Sequence, residues 1–139
     1  MPKILVIHGP NLNLLGKREV DIYGTVTLES INSELNKIAG SNDLNLTIMQ
    51  SNHEGEIVEA IGNASGKFGA IVINPAAYTL TSVAIRDAIS AVKVPVVEVH
   101  LSNIYSREDI GRTSLIAPMA RGQIPGFGRM SYVLGLEAA

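Results

Sequence analysis

Short apolar runs alternate along this chain with segments whose apolar residues recur every three or four positions. This alternation is the strongest constraint on what the chain can become. Lys3 to His8 is almost continuously apolar and reads as a strand covered on both faces. Thr27 to Ala39 reads as a helix, with Leu28, Ile31, Leu35 and Ile38 on one face and Gly40 as its stop. Leu44 to Gln50 alternates Leu44, Leu46 and Ile48, the period of a strand. A helix follows over Glu54 to Ala64, with Asn52 as its predicted N-cap, and a buried strand over Gly69 to Asn74. A third helix is predicted from Ser82 to Val92 and another strand from Pro95 to His100. Residues 103–113 are polar and irregular, with room for one helical turn. Ser114 to Ala117 reads as a last short strand, Gly122 to Gly128 as a Gly-rich connection, and Arg129 to Leu136 as a C-terminal helix.

Strands alternating with helices imply an α/β fold, a parallel sheet with helices on both faces. Five strands fit the flavodoxin-like order 2-1-3-4-5. The length of 139 residues suggests one domain, 1–139, with a sizeable core. Hydrophobic residues make up 46% and charged residues 17%, which argues against disorder. The net charge of -2 and the lack of a basic run give no sign of nucleic acid or an anionic membrane as partner. No apolar run approaches the length of a membrane span, and Met1-Pro2-Lys3 leads into the first strand without a signal peptide. A cytoplasmic location is the expectation. The absence of cysteine excludes disulfides, thiolate catalysis and cysteine metal sites. The low charged fraction points to some surface buried between subunits.

Residues 9–24 connect the first strand to the first helix, and this loop is longer than the two to six residues usual in α/β units. Gly16 and Gly24 flank Arg18 and Tyr23 within it. A free phenol, with a pKa of about 10, is a poor base at neutral pH. A guanidinium beside it favours the phenolate, and a base works best when its pKa approaches the working pH. A folded loop that joins Arg18 to Tyr23 would therefore supply a base. The plainer reading of this pair is a solvated arginine and a tyrosine packed over the sheet edge.

In open parallel sheets ligands bind beyond the carboxyl ends of the strands. His8 to Asn13 follow the first strand, Asn74 ends the third, and Glu98 to Asn103 end the fourth. Three sequence-distant polar groups thus converge on one crevice. Glu98 and His100 are two apart on a strand and share a face. A carboxylate beside an imidazole fixes its tautomer, which would suit His100 as a general acid. A hydrogen-bonded histidine at a strand end is the alternative. Asn11 and Asn74 also read as ordinary turn residues, the more common case for asparagine. Leu101-Ser102 offers backbone N–H groups and a hydroxyl to a carboxylate, with a plain strand-ending loop as the alternative. The three histidines have no metal-ligand spacing, so no metal is predicted. The Gly-rich segment near residue 126 lacks the context of a dinucleotide fingerprint.

The stretch Gly9-Pro10-Asn11-Leu12-Asn13-Leu14-Leu15-Gly16-Lys17-Arg18-Glu19, followed by Tyr23-Gly24, closely resembles the signature of type II 3-dehydroquinate dehydratases. Later segments match in the same order: Gln50 to Gly55, Asn74-Pro75, Arg86-Asp87-Ala88 and Val97 to Asn103. The resemblance covers nearly the whole chain and implies the same flavodoxin-like fold. It implies removal of water from 3-dehydroquinate through an enolate, a shikimate-pathway step, with no metal or organic cofactor. Tyr23 would take the C2 proton, with Arg18 lowering its pKa and Arg107 assisting. Asn11 would hold a water that stabilises the enolate. His100 would protonate the departing C1 hydroxyl, oriented by Glu98. Asn74, Leu101 and Ser102 would hold the substrate carboxylate. Asp87 matches a residue that reaches a neighbouring subunit's active site, and the family's trimers assemble into dodecamers. A homo-oligomer is therefore expected.

Two departures fall on residues that read the C4/C5 diol. The family pattern after Asn-Pro is roughly G-x-x-T-H-T-S, and its histidine is Leu80 here. The family arginine four residues after Arg107 is Gly111 here, with Arg112 one residue late. A buried substrate hydroxyl without a partner costs about 1–3 kcal/mol. Two other readings therefore stand beside the first: a relative acting on an analogue altered at C4 or C5, such as an amino analogue, and a catalytically weak carboxylate binder. Val20, where the family usually has proline, and His8, where it often has asparagine, are smaller variations.

Overall fold

The computed structural model describes residues 2–16, 26–102 and 114–139. Its strands are β1 (Lys3–His8), β2 (Asn45–Gln50), β3 (Ala70–Asn74), β4 (Val96–His100) and β5 (Gly122–Pro125). Its α-helices are α1 (Leu28–Ser41), α2 (Glu54–Gly62), α3 (Val83–Ala91) and α4 (Arg129–Ala138). The sheet order is β2-β1-β3-β4-β5 and every neighbouring pair is parallel. This is the flavodoxin-like order expected from the alternation of elements.

Side chains on a strand alternate between faces, and the core divides accordingly. Ile4, Val6, Val72, Val97 and Val99 pack with Ile31 and Leu35 of α1 and with Tyr132 and Leu136 of α4. Leu5, Ile7, Ile71, Ile73 and Val96 pack with Ile57 and Ile61 of α2 and with Ile85 and Ile89 of α3. Both faces of β1, β3 and β4 are thus covered, which explains their unbroken apolar runs. Helix α4 lies so close to the sheet that a Cβ on Gly135 would sit 2.5 Å from Val99 Cγ1.

The structure corrects four sequence expectations. Ser114 to Ala117 is a turn and not a strand, because the Ser114 hydroxyl accepts the N–H groups of Ile116 and Ala117 at 3.1 and 3.0 Å. Pro118 then supports a short 3-10 turn, Ala117–Met119. The fifth strand lies within the predicted Gly-rich connection. Glycine and proline disguise it, and both are tolerated because β5 is an edge strand. Helix α1 runs through Gly40 to Ser41 and stops where the Asn42 amide bonds the Ile38 carbonyl at 2.8 Å and Asp43 turns left-handed, at φ 55°. His53, not Asn52, is the N-cap of α2, and its side chain makes no capping bond. Among the described residues no helix is long and apolar enough to cross a membrane.

Candidate active site

The carboxyl edge of the sheet collects the polar residues. His8 is in register with Gln50 on β2 and with Asn74 on β3, and His100 is in register with Pro125 on β5. The turn after β1 is drawn against the turn after β3, with the Gly9 N–H on the Asn74 carbonyl at 2.8 Å. Only glycine fits there, because a Cβ at position 9 would lie 2.6 Å from the Pro75 carbonyl oxygen. Asn11 follows in the left-handed region, at φ 66°, and donates its N–H to Asn52 Oδ1 at 2.9 Å. The Gln50 amide bonds both the Gly9 carbonyl and Asn52 Oδ1, at 3.1 and 3.2 Å, and the Tyr78 hydroxyl donates to the Asn52 carbonyl at 2.7 Å. Asn52, the residue predicted to cap α2, therefore ties three loops together, through its side chain and its backbone carbonyl.

Period-two alternation sends the strand-end residues to opposite faces. Glu98 and His100 share the parity of Val96, on the α2/α3 side. Glu98 is completely buried and His100 is almost so. His100 Nε2 bonds Glu98 Oε2 directly. A buried carboxylate is costly unless its oxygens are satisfied, and here they are. The Ser114 hydroxyl reaches both oxygens, at 3.1 and 3.0 Å, and the Gln123 amide donates to Oε2 at 2.9 Å. Gln123 is the register partner of Glu98 on β5. The backbone beyond His100 is fixed from the far side, with the Gly126 N–H on the His100 carbonyl and the Gly128 N–H on that of Leu101, at 3.3 and 2.8 Å.

His8 and Asn74 share the parity of Val6 and Val72, on the α1/α4 side, and both are buried. His8 Nε2 meets Asn32 Oδ1 at 2.8 Å, and Nδ1 meets the Tyr132 hydroxyl at 2.9 Å. An amide oxygen only accepts, so Nε2 carries the imidazole proton and Nδ1 accepts from the phenol. Burial pushes the His8 pKa down to about 4, partly opposed by the Asn32 bond. Burial also pushes the Tyr132 phenol well above its ordinary range, partly opposed by a bond from the Asn74 side chain. Asn74 Oδ1 accepts the Ala76 N–H at 3.0 Å.

A family model described as dehydroquinase class II matches residues 2–139. The chain belongs to the class II dehydroquinase family. A 3-dehydroquinate dehydratase of Acaryochloris marina is 61% identical over 137 residues, covering 99% of this chain and 92% of that one. A crystal structure of a type II dehydroquinase from Butyrivibrio crossotus superposes with a TM-score of 0.96 at 42% identity, covering 99% of this chain and 96% of that one. Another, from Propionibacterium acnes, gives 0.95 at 36% identity, covering 99% and 95%.

Within this class II dehydroquinase, the structure joins Glu98 to His100 and joins Asn74 to Ala76. It seats Asn11 at the mouth of β1, with Leu101 buried and Ser102 half-buried just past His100. Asp87 is exposed on α3, where Ile85 and Ile89 turn toward the core. Arg18, Tyr23, Arg107, Gly111 and Arg112 lie outside the described residues. Sequence reasoning missed Ser114, Gln123, Asn32 and Tyr132. A tyrosine beside Val133 and Leu136 on an amphipathic helix carried a usable signal, since a buried phenol needs a polar partner. Ser114 and Gln123 carried none, because their role depends on which residue faces Glu98.

Proposed function

We propose that this class II dehydroquinase removes water from 3-dehydroquinate to give 3-dehydroshikimate. The observation that carries the reading is the buried Glu98–His100 pair, held by Ser114 and Gln123 at the carboxyl end of β4 in a chain of this family. Tyr23, supported by Arg18 and Arg107, takes the proton from C2 and leaves an enolate at the C3 carbonyl. Asn11 holds the water that stabilises that oxygen. The enolate reforms the ketone as the C2–C1 double bond forms and the C1–O bond breaks. His100 gives its proton to the leaving hydroxyl, so one water departs. Proton exchange with solvent then resets the phenol and the imidazole. Glu98 fixes the tautomer and tilt of His100. The arrangement separates a base from an acid and sets each for its own direction of proton transfer.

Asn74, Leu101 and Ser102 hold the substrate carboxylate, and Arg112 and a neighbouring subunit's Asp87 complete the site. That role for Asp87 implies a homo-oligomer, trimers assembled into a dodecamer, and its exposure on α3 is consistent with this. We place the enzyme in the cytoplasm as one catalytic domain, 1–139, with a small-molecule substrate and no cofactor.

The test is incubation of the purified protein with 3-dehydroquinate, following absorbance of the conjugated enone product. Turnover that vanishes in Tyr23→Phe supports the reading, and a wild-type protein that leaves 3-dehydroquinate intact overturns it. Leu80, half-buried just past the turn that follows β3, favours a second reading in which the preferred substrate differs at C4 or C5. A higher kcat/KM for the 4- or 5-amino analogue than for 3-dehydroquinate would establish that reading.

A further inference from the structure

The chemistry above leaves one buried polar chain unused. It starts at Asn32 on α1, passes through His8 on β1 and Tyr132 on α4, and ends at Asn74 on β3. Each bond in it has a defined direction. The His8 Nε2–H donates to Asn32 Oδ1, so Nδ1 must accept the Tyr132 proton. The phenol oxygen, having donated its only proton, can only accept, and the Asn74 side chain acts on it in the sense of an N–H donor, opposing the rise of the Tyr132 pKa. Asn74 Oδ1 is occupied by the Ala76 N–H. The amide of Asn74 is thereby oriented from both ends, with its oxygen toward Ala76 and its nitrogen toward Tyr132. An amide nitrogen carries two hydrogens, enough for the phenol and for a ligand at the strand end.

We propose that Asn32, His8 and Tyr132 form a directional hydrogen-bond relay that holds the Asn74 amide ready to donate to the substrate carboxylate. His8 and Tyr132 are then positioning residues. This role rests on the dehydratase reading, because it assigns Asn74 to that carboxylate. The relay also depends on charge. A proton on His8 Nδ1 would turn that nitrogen into a donor and force the Tyr132 hydroxyl toward Asn74. The amide would then meet a donor with a donor and turn over. Among the described residues the groups facing His8 are the neutral Asn32 from α1, Asn74 from β3, Gln50 from β2 and the phenol of Tyr132 from α4. The phenol is the titratable one. Burial of the imidazole keeps it neutral at ordinary pH.

Two variants of the full-length protein test this with 3-dehydroquinate as substrate. Tyr132→Phe removes both bonds of the phenol and should raise KM about fivefold or more, with kcat changed less, as expected for one lost hydrogen bond that orients a ligand group. Should that core change impair folding, Asn32→Asp carries the test, because Asn32 is only half-buried. Its carboxylate favours protonated His8, so KM should rise on the acid side of the pH profile through an ionisation that the wild type lacks. A merely structural role would not introduce that pH limb. KM profiles that match the wild type in both folded variants overturn the relay and leave the dehydratase reading intact. A wild-type protein without turnover overturns the reading and, with it, the role given to the relay.

Discussion

Two buried polar clusters stand at the same edge of the sheet, on opposite faces, and differ in kind. The cluster under α2 and α3 contains a carboxylate, Glu98, bonded by His100, Ser114 and Gln123. The cluster under α1 and α4 joins Asn32, His8, Tyr132 and Asn74 without a formal charge. Each contains one histidine. In the first, the histidine faces a carboxylate, and the function proposed above gives that pair the proton transfer. In the second, it faces an amide oxygen and a phenol, and burial pushes its pKa down to about 4. On the roles proposed above, the same side chain is a proton donor in one setting and a fixed strut in the other. The partner bonded to the imidazole, and not the imidazole itself, decides which.

Removing the charge from the first cluster should have the largest effect. Glu98→Gln keeps the shape but places an amide where Ser114 and Gln123 both donate. We expect kcat for 3-dehydroquinate to fall about 100-fold, within the range of acid–base catalysis, with KM little changed. An equal loss from removing either cluster would erase the distinction between them.

The neutral histidine should appear in stability. Its folded pKa of about 4 lies below the unfolded value of 6.5, so between those values the unfolded chain binds the extra proton. Stability should therefore be fully present above pH 6.5 and decline as the pH falls toward 4. The contribution amounts to about 3 kcal/mol. Urea unfolding across this range should show the slope in the wild type and lose it in His8→Gln. A slope that persists in His8→Gln would assign it to other groups. Tyr132 gives the alkaline counterpart, with stability declining above about pH 10, where the unfolded phenol ionises and the buried one does not.

A smaller effect should follow from Ser114→Ala. The hydroxyl donates to Glu98 and accepts two backbone N–H groups. Its loss leaves buried groups unsatisfied and should cost about 1–3 kcal/mol in urea unfolding, with a drop in kcat smaller than that of Glu98→Gln. A stability loss with kcat unchanged would restrict Ser114 to shaping its turn.

The sequence contained most of this architecture in its periodicities. Strand residues buried on both faces produced the apolar runs of β1, β3 and β4, and helical spacing marked Ile31 and Leu35 or Ile85 and Ile89. Glu98 and His100 could be paired because two residues along a strand share a face. The edge strand β5 was hidden, since Gly122 and Pro125 are read as turn residues unless the chain's neighbours are known. The relay was hidden for a similar reason. His8 and Tyr132 stand 124 positions apart, and only the folded sheet and its helices bring the phenol on α4 to the end of β1.

The most direct test of the account is the kcat for 3-dehydroquinate of the wild type beside His100→Ala, both checked for native folding. The account predicts robust wild-type turnover and a loss of about 100-fold to 10,000-fold in the variant. A wild type that is inert toward 3-dehydroquinate, or a folded His100→Ala that retains its rate, would contradict it.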